Sequence, residues 1–122
     1  MARILVADDS PDIRMIVKER LEMDGHQVEC AVDGTDALEK VQKYSYDLAV
    51  FDVLMPGHDG IALCGIVKAT ASLMRIPVLL MSAYSQDEKN LQKSNADAFL
   101  PKPFELSNLA KVVQHLLDKR IP

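Results

Sequence analysis

Five short apolar runs, separated by segments with helical periodicity, constrain the fold of this chain more than any other feature. The runs are Ile4–Ala7, Val28–Val32, Leu48–Phe51, Val78–Met81 and Ala98–Leu100. Their continuous apolar character is typical of strands buried on both faces, as in parallel sheets covered by helices. Five strand–helix units are too few for an eight-stranded barrel. The sequence therefore predicts an open, doubly wound (βα)5 fold of the α/β class, with a five-stranded parallel sheet.

The segments between the runs predict five helices. The first carries an apolar stripe that includes Ile16 and ends at Asp24-Gly25, and the third runs from about Asp59 to Thr70 with Asp59 as its N-cap. The fourth opens with the capping pattern Ser85-Gln86-Asp87-Glu88 but has few apolar residues. The fifth has the most regular apolar face, formed by Leu106, Leu109, Val113, Leu116 and Leu117.

Length and charge narrow the class of protein. A chain of 122 residues is expected to form one domain, residues 1–122. The net charge is −4 and no basic stripe is present, which argues against direct nucleic-acid binding. No apolar run approaches the ~18 residues of a membrane span, and the first residues lack a signal-peptide pattern, so a cytoplasmic location is expected. Cys30 and Cys64 lie in apolar segments outside any metal-binding motif and are interpreted as reduced core residues.

Polar residues follow four of the five predicted strands. Asp8 and Asp9 follow the first, Asp52 ends the third, Ser82 follows the fourth and Lys102 follows the fifth. Ligands bind doubly wound sheets at the carboxyl ends of the strands. We therefore expect three carboxylates, a hydroxyl and an ammonium group to meet at one edge of the sheet.

This set of groups has a chemical logic. Three carboxylates repel one another, and a hard divalent cation such as Mg²⁺ relieves that repulsion through oxygen ligands. With the cation and Lys102 the summed charge is about zero, so the site can accept a phosphoryl group. Asp52 is the candidate nucleophile because carboxylates form aspartyl-phosphates. Ser82 would donate a hydrogen bond to a transferring oxygen, and Lys102 would stabilise its charge.

Each residue also has a simpler interpretation when it is considered alone. The Asp8-Asp9 pair could only cap the helix that follows Ser10-Pro11. Asp52 could be a strand-end carboxylate bonded to backbone amides, and Lys102 could be a solvated loop lysine. Ser82 could be an ordinary polar residue at the end of a strand. Their predicted meeting at one edge favours the metal and phosphoryl interpretation over these alternatives.

Four segments in this order resemble the receiver domain of two-component response regulators, the CheY-like family: "ILVADDSPDIR", "LAVFDVLMPGHDG", "PVLLMSA" and "AFLPKPF". The resemblance implies a flavodoxin-like sheet of strand order 2-1-3-4-5. It also implies Mg²⁺, with Mn²⁺ as a substitute, bound by Asp8, Asp9, Asp52 and the backbone carbonyl of Leu54. Asp52 would then be the phosphoacceptor.

The same resemblance assigns further roles. It makes Lys102 the phosphate-pairing lysine, with a cis Lys102–Pro103 bond, and makes Ser82 and Phe99 the switch hydroxyl and the switch aromatic residue. Phe99 could equally be an ordinary core aromatic. Leu54 and Tyr84 match the positions that flank the path of the hydrolytic water. Neither side chain has an acid or amide to orient that water, so a long-lived phosphoryl group is expected.

The expected function is a phospho-accepting switch in signal transduction, and not an enzyme with a separate substrate. A sensor histidine kinase or a histidine phosphotransfer protein would donate the phosphoryl group, docking at the first helix (Ile13, Arg14, Val17) and the Pro103-Phe104 loop. Phosphorylation would change the surface of the fourth helix, fifth strand and fifth helix for an output partner or domain, or for homodimerisation. The cognate kinase, the output and whether the chain is a stand-alone regulator or part of a longer protein stay open.

Two other functions compete with this interpretation. A phosphatase of the haloacid-dehalogenase kind needs a second Asp two residues after the nucleophile, and Leu54 occupies that position. A degenerate receiver could act as a phosphorylation-independent interaction module. The presence of Asp8, Asp9, Asp52, Ser82 and Lys102 argues against it.

Overall fold

The strands form one parallel sheet in the computed structural model, which describes residues 2–83 and 94–119. The strands are β1 (Arg3–Ala7), β2 (Gln27–Ala31), β3 (Leu48–Asp52), β4 (Val78–Ser82) and β5 (Ala98–Pro101). All neighbouring strands pair in parallel, in the order β2-β1-β3-β4-β5. The predicted fold class and strand order are therefore confirmed.

The strand boundaries differ from the predicted ones in ways that matter for the site. Asp52 is the last residue of β3, as predicted. Ser82, which was predicted to follow the fourth strand, is instead the last residue of β4 and so part of the sheet. The prediction that the second strand includes Val32 was wrong: β2 ends at Ala31, and the Val32 side chain is 51% exposed. The Val32 N–H donates to Asp36 Oδ2 at 3.0 Å, which directs the backbone toward the next helix and away from the strand ladder.

The described residues also form four helices: α1 (Pro11–Met23), α2 (Gly34–Lys43), α3 (Gly60–Ala69) and the C-terminal helix (Leu106–Lys119). Asp59 caps α3, as predicted, by accepting a hydrogen bond from the Ala62 N–H at 2.7 Å. Asp24 is the C-cap of α1, and Gly25 follows with a φ of +94°. The helix predicted to begin at Ser85 lies outside the described residues.

Helices cover both faces of the sheet and bury one apolar cluster on each. On one face Phe51 and Leu80 pack with Leu63 of α3. On the other face Val6 and Leu79 pack with residues of α1 and of the C-terminal helix. Burial on both faces is the reason that the strand segments are continuously apolar.

Two side chains depart from the predicted burial. Ile16 was predicted to lie on the apolar stripe of the first helix, but its side chain is 44% exposed, because the buried positions of α1 are Val17 and Leu21. Cys64 is buried as predicted, whereas Cys30 is only partly buried, and both thiols are free. Among the described residues, no helix is long and apolar enough to cross a membrane.

Candidate functional site

Three carboxylates converge at the carboxyl edge of the sheet. Oxygen atoms of Asp8, Asp9 and Asp52 all lie within 4.8 Å of one another. The sheet register produces this meeting, because Ala7 of β1 pairs with Phe51 of β3 and an aspartate follows each of them. Asp8 is fully buried and Asp52 is 6% exposed, whereas Asp9 is exposed. The predicted grouping of these carboxylates at the edge of the sheet is therefore what the structure contains.

Lys102 connects the two buried carboxylates. Its Nζ atom lies 2.9 Å from Asp8 Oδ2 and 3.2 Å from Asp52 Oδ1. The Lys102 N–H donates to the Ser82 carbonyl at 2.8 Å, which ties the segment after β5 to the end of β4. The Lys102–Pro103 peptide bond is cis, as the sequence resemblance implied. The side chain is largely buried, so Lys102 is not the solvated loop lysine of the simpler interpretation.

The residues that begin α1 hold Asp8 in place. The Ser10 N–H donates to Asp8 Oδ1 at 2.9 Å, and Arg14 Nη1 donates to the Asp8 carbonyl oxygen at 2.7 Å. Ser10 itself is the N-cap of α1. Neither aspartate therefore caps this helix, and both carboxylates remain available to the edge of the sheet. The support from Ser10 and Arg14 was missed by the sequence reasoning, although Ser10 before Pro11 is a recognisable helix start.

The electrostatics of the site follow from burial and like charge. Burial and the neighbouring Asp8 carboxylate together raise the pKa of Asp52 to about 6, against the opposing effect of Lys102. Burial alone would lower the pKa of Lys102, but Asp8 and Asp52 outweigh it and the pKa is raised. Three carboxylates and one ammonium group leave the ionised cluster with a formal charge of −2. An all-oxygen set with this charge fits a hard divalent cation.

The other predicted site residues surround this cluster to different degrees. Ser82 is buried and comes one residue after Met81, the register partner of Asp52. Leu54 follows Asp52 by two residues, with a side chain that is 50% exposed. Phe99 lies on β5 with 40% of its side chain exposed, which differs from the alternative of a core aromatic. Tyr84 lies outside the described residues.

The sequence matches a family model described as the response regulator receiver domain over residues 4–114. A curated relative, the DNA-binding dual master transcriptional regulator RpaA of Synechocystis sp., is 36% identical over 126 residues. That alignment covers 100% of this chain and 52% of the relative. This chain therefore spans about half the length of RpaA.

The chain is also similar to solved structures of receiver domains and response regulators. The signal receiver domain of a signal transduction histidine kinase from Syntrophus aciditrophicus has a TM-score of 0.94 and 36% identity, covering 100% of this chain and 96% of that one. The response regulator protein TrrA from Thermotoga maritima, solved in complex with Mg²⁺-BeF, has a TM-score of 0.87 and 34% identity. The match covers 95% of this chain and 99% of TrrA.

Proposed function

Because this chain belongs to the response regulator receiver domain family of two-component systems, we propose that it is a switch in which Asp52 accepts a phosphoryl group. One observation supports this most strongly. Asp52 is buried at the end of β3 and shares Lys102 with Asp8, while Asp9 lies at the same edge. A buried carboxylate with two acidic neighbours and a lysine is suited to a reaction that brings a dication and an anion together.

The cation is proposed to be Mg²⁺, with Mn²⁺ able to replace it. Its ligands would be Asp8, Asp9, Asp52 and the backbone carbonyl of Leu54. When bound, the ion would neutralise charge on the oxygens of the phosphoryl group. The carboxylate cluster supports this assignment, as does the Mg²⁺-BeF complex of TrrA, which is 34% identical.

Asp52 would attack the phosphorus of a phosphohistidine on the donor protein. A P–O bond to the Asp52 carboxylate forms as the P–N bond breaks, and the imidazole of the donor leaves with the electron pair of that bond. Lys102 and Ser82 would stabilise the charge on the transferring oxygens, since pre-placed donors of this kind need no rearrangement during the reaction. The domain would thus assist only its own phosphorylation and dephosphorylation.

An apolar groove of about 360 Å³ is the proposed docking place for the donor. Ile13, Ile16 and Val17 of α1 line one side, and Pro103 and Phe104 line the other. Lys102 also lines this groove, so a partner bound there would lie beside the carboxylate cluster. Response regulators as a family interact with histidine kinases and output domains. For this chain a histidine kinase or a phosphotransfer protein is the proposed donor.

The switch is proposed to use Ser82 and Phe99. Ser82 would move toward the phosphoryl oxygens, and Phe99, which is exposed in this structure, would turn inward. The surface of the predicted fourth helix, β5 and the C-terminal helix would change for an output partner, an output domain or a second copy of the chain. This is a shift between two populations, biased by the new phosphoryl group. We propose a cytoplasmic setting for this exchange.

The test is phosphorylation in vitro. The protein is incubated with acetyl phosphate and Mg²⁺, and the mass of one added phosphoryl group is sought by intact-mass spectrometry. Asp52→Asn should remove the added mass, as should chelation of the metal. Asp59→Asn is the matched control, because Asp59 is exposed at the start of α3 and asparagine also caps helices. A wild-type protein that gains no mass would instead favour the phosphorylation-independent interaction module.

A further inference from the structure

The loop that follows Asp52 is wedged against the start of α2. Gly34 is the first residue of α2, and its N–H donates to the Pro56 carbonyl at 3.0 Å. The first N–H groups of a helix have no partner within the helix, so the loop satisfies one of them. A Cβ atom at residue 34 would overlap the His58 carbonyl oxygen and lie 2.5 Å from the His58 carbonyl carbon. Real Cβ atoms essentially never lie within 3.0 Å of such a neighbour, so only glycine allows this approach.

Two glycines within the same loop also approach other backbone segments closely. Gly57 has a φ of +83°, and a Cβ there would overlap the Thr35 hydroxyl and lie 3.1 Å from the Thr35 nitrogen. Gly60 donates its N–H to the Val53 carbonyl at 2.9 Å. A Cβ at residue 60 would lie 2.9 Å from the carbonyl carbon of Asp52. The loop of residues 53–60 therefore approaches the start of α2 closely at one point and the backbone of Asp52 closely at another.

We propose that Gly34 is a positioning residue for the divalent cation, because it sets the location of the loop that contains Leu54. This inference rests on the proposed function, in which the Leu54 carbonyl is a ligand. Leu54 lies midway between Asp52, the last residue of β3, and Pro56, whose carbonyl receives the Gly34 N–H. A side chain at residue 34 would displace the His58 and Pro56 backbone, and the displacement would reach Leu54 within two to four residues.

The chemistry of the ion makes such a displacement matter. Mg²⁺ requires nearly octahedral ligands at about 2.0–2.1 Å, whereas Ca²⁺ accepts more varied geometry at about 2.3–2.6 Å. A shifted carbonyl should therefore weaken Mg²⁺ binding more than Ca²⁺ binding. A general loss of stability would weaken both alike, so the ratio of the two affinities separates a positioning role from a structural one.

The experiment compares Gly34→Ala with Gly65→Ala by calorimetric titration of Mg²⁺ and Ca²⁺. Gly65 is the matched control, because it is an exposed glycine within α3 and a Cβ there meets nothing within 4 Å. Gly34→Ala is expected to bind Mg²⁺ about tenfold more weakly, in the range for residues that support metal ligands. Its preference for Mg²⁺ over Ca²⁺ should fall, and Gly65→Ala should retain both values.

The outcomes separate this inference from the proposed function. A wild-type protein without measurable Mg²⁺ binding would contradict the proposed cation site itself. Wild-type binding together with a folded Gly34→Ala of equal affinity and equal ion preference would overturn the positioning role alone. Amide NMR spectra of the metal-free variants report whether they are folded.

If Gly34→Ala does not fold, a second pair of variants tests whether the position of the loop that contains Leu54 controls Mg²⁺ binding. Gly57→Asn displaces the same loop against the Thr35 side chain, and asparagine tolerates a positive φ. Gly25→Asn is its control, since Gly25 has a φ of +94° and a Cβ there meets nothing within 4 Å. Gly57→Asn should weaken Mg²⁺ binding and lower the ion preference. Equal values for the two asparagine variants would overturn the proposal.

Discussion

The Nζ atom of Lys102 lies 2.9 Å from Oδ2 of Asp8, although 94 residues separate the two in the sequence. Asp8 is completely buried, and its other carboxylate oxygen accepts the Ser10 N–H. The pair therefore joins the first and last strands in chain order at the edge of the sheet. In this position the Lys102 ammonium group contacts both Asp8 and Asp52 and offsets part of the negative charge of the carboxylate cluster.

Replacing Lys102 by methionine should destabilise the metal-free protein. The change leaves the Asp8 carboxylate buried without its cationic partner, which costs roughly 2 kcal/mol or more of unfolding free energy. Urea unfolding in the presence of a chelator measures the loss. Millimolar Mg²⁺ should reduce it, because the cation supplies the missing positive charge. Lys111→Met, at an exposed position of the C-terminal helix, is the control and should change stability by less than about 0.5 kcal/mol.

Asp52→Asn should make the metal-free protein more stable at neutral pH. The pKa of Asp52 is raised from 3.8 to about 6 in the fold, so the folded state holds this proton more tightly than the unfolded chain does. Wild-type stability should therefore fall as the pH rises from about 4 to 6, and the variant should lack this fall. By linkage the gain well above pH 6 is about 3 kcal/mol. Urea titrations between pH 4 and 7.5 measure the free energy of unfolding of both proteins. A difference in this free energy that stayed constant over the pH range would contradict the prediction.

The lifetime of phosphorylated Asp52 should depend on Leu54 and Tyr84. The half-exposed Leu54 side chain offers no group to orient an attacking water. The double replacement Leu54→Asn and Tyr84→Glu should accelerate dephosphorylation by at least about tenfold, since a positioned proton acceptor contributes on that scale or more. A phosphate-release assay after removal of the donor measures the rate. Leu54→Met with Tyr84→Phe is the control, and equal rates in both double variants would refute the prediction.

Lys68 should contribute to stability without affecting the site. Its Nζ donates to the Ile76 carbonyl at 2.8 Å and to Asp97 Oδ2 at 2.7 Å, and the same oxygen accepts the Val78 N–H. These contacts lie near the starts of β4 and β5, at the opposite edge of the sheet from Asp52. Lys68→Met should lower the unfolding free energy by about 1–2 kcal/mol and leave Mg²⁺ affinity unchanged. A loss of Mg²⁺ affinity in a folded Lys68→Met variant would contradict the prediction that Lys68 does not affect the site.

Local features of this protein could be predicted from sequence because their physical causes are local. Continuous apolar runs marked the strands, since burial on both faces removes the alternation of polar and apolar residues. Asp59 could be identified as an N-cap because capping joins atoms three residues apart. The family resemblance added the strand order and the cis bond before Pro103, and both are present.

Features that depend on distances across the fold could not be predicted in the same way. The apolar pattern of α1 does not reveal that Ile16 is exposed and lines the apolar groove together with Phe104. Nor does the spacing of Asp8 and Asp52 reveal that Lys102 lies between them.

The sequence by itself determined which segments become strands and helices and which polar residues follow the strands, because these properties arise from short-range periodicity and capping. The sequence also predicted that Asp8, Asp9 and Asp52 meet at one edge, but only the tertiary structure decided how closely they approach, that Lys102 contacts two of them, and that residue 34 must be glycine. Strand order and packing bring those groups within a few ångströms, and electrostatic and steric energies depend on that distance and not on separation along the chain.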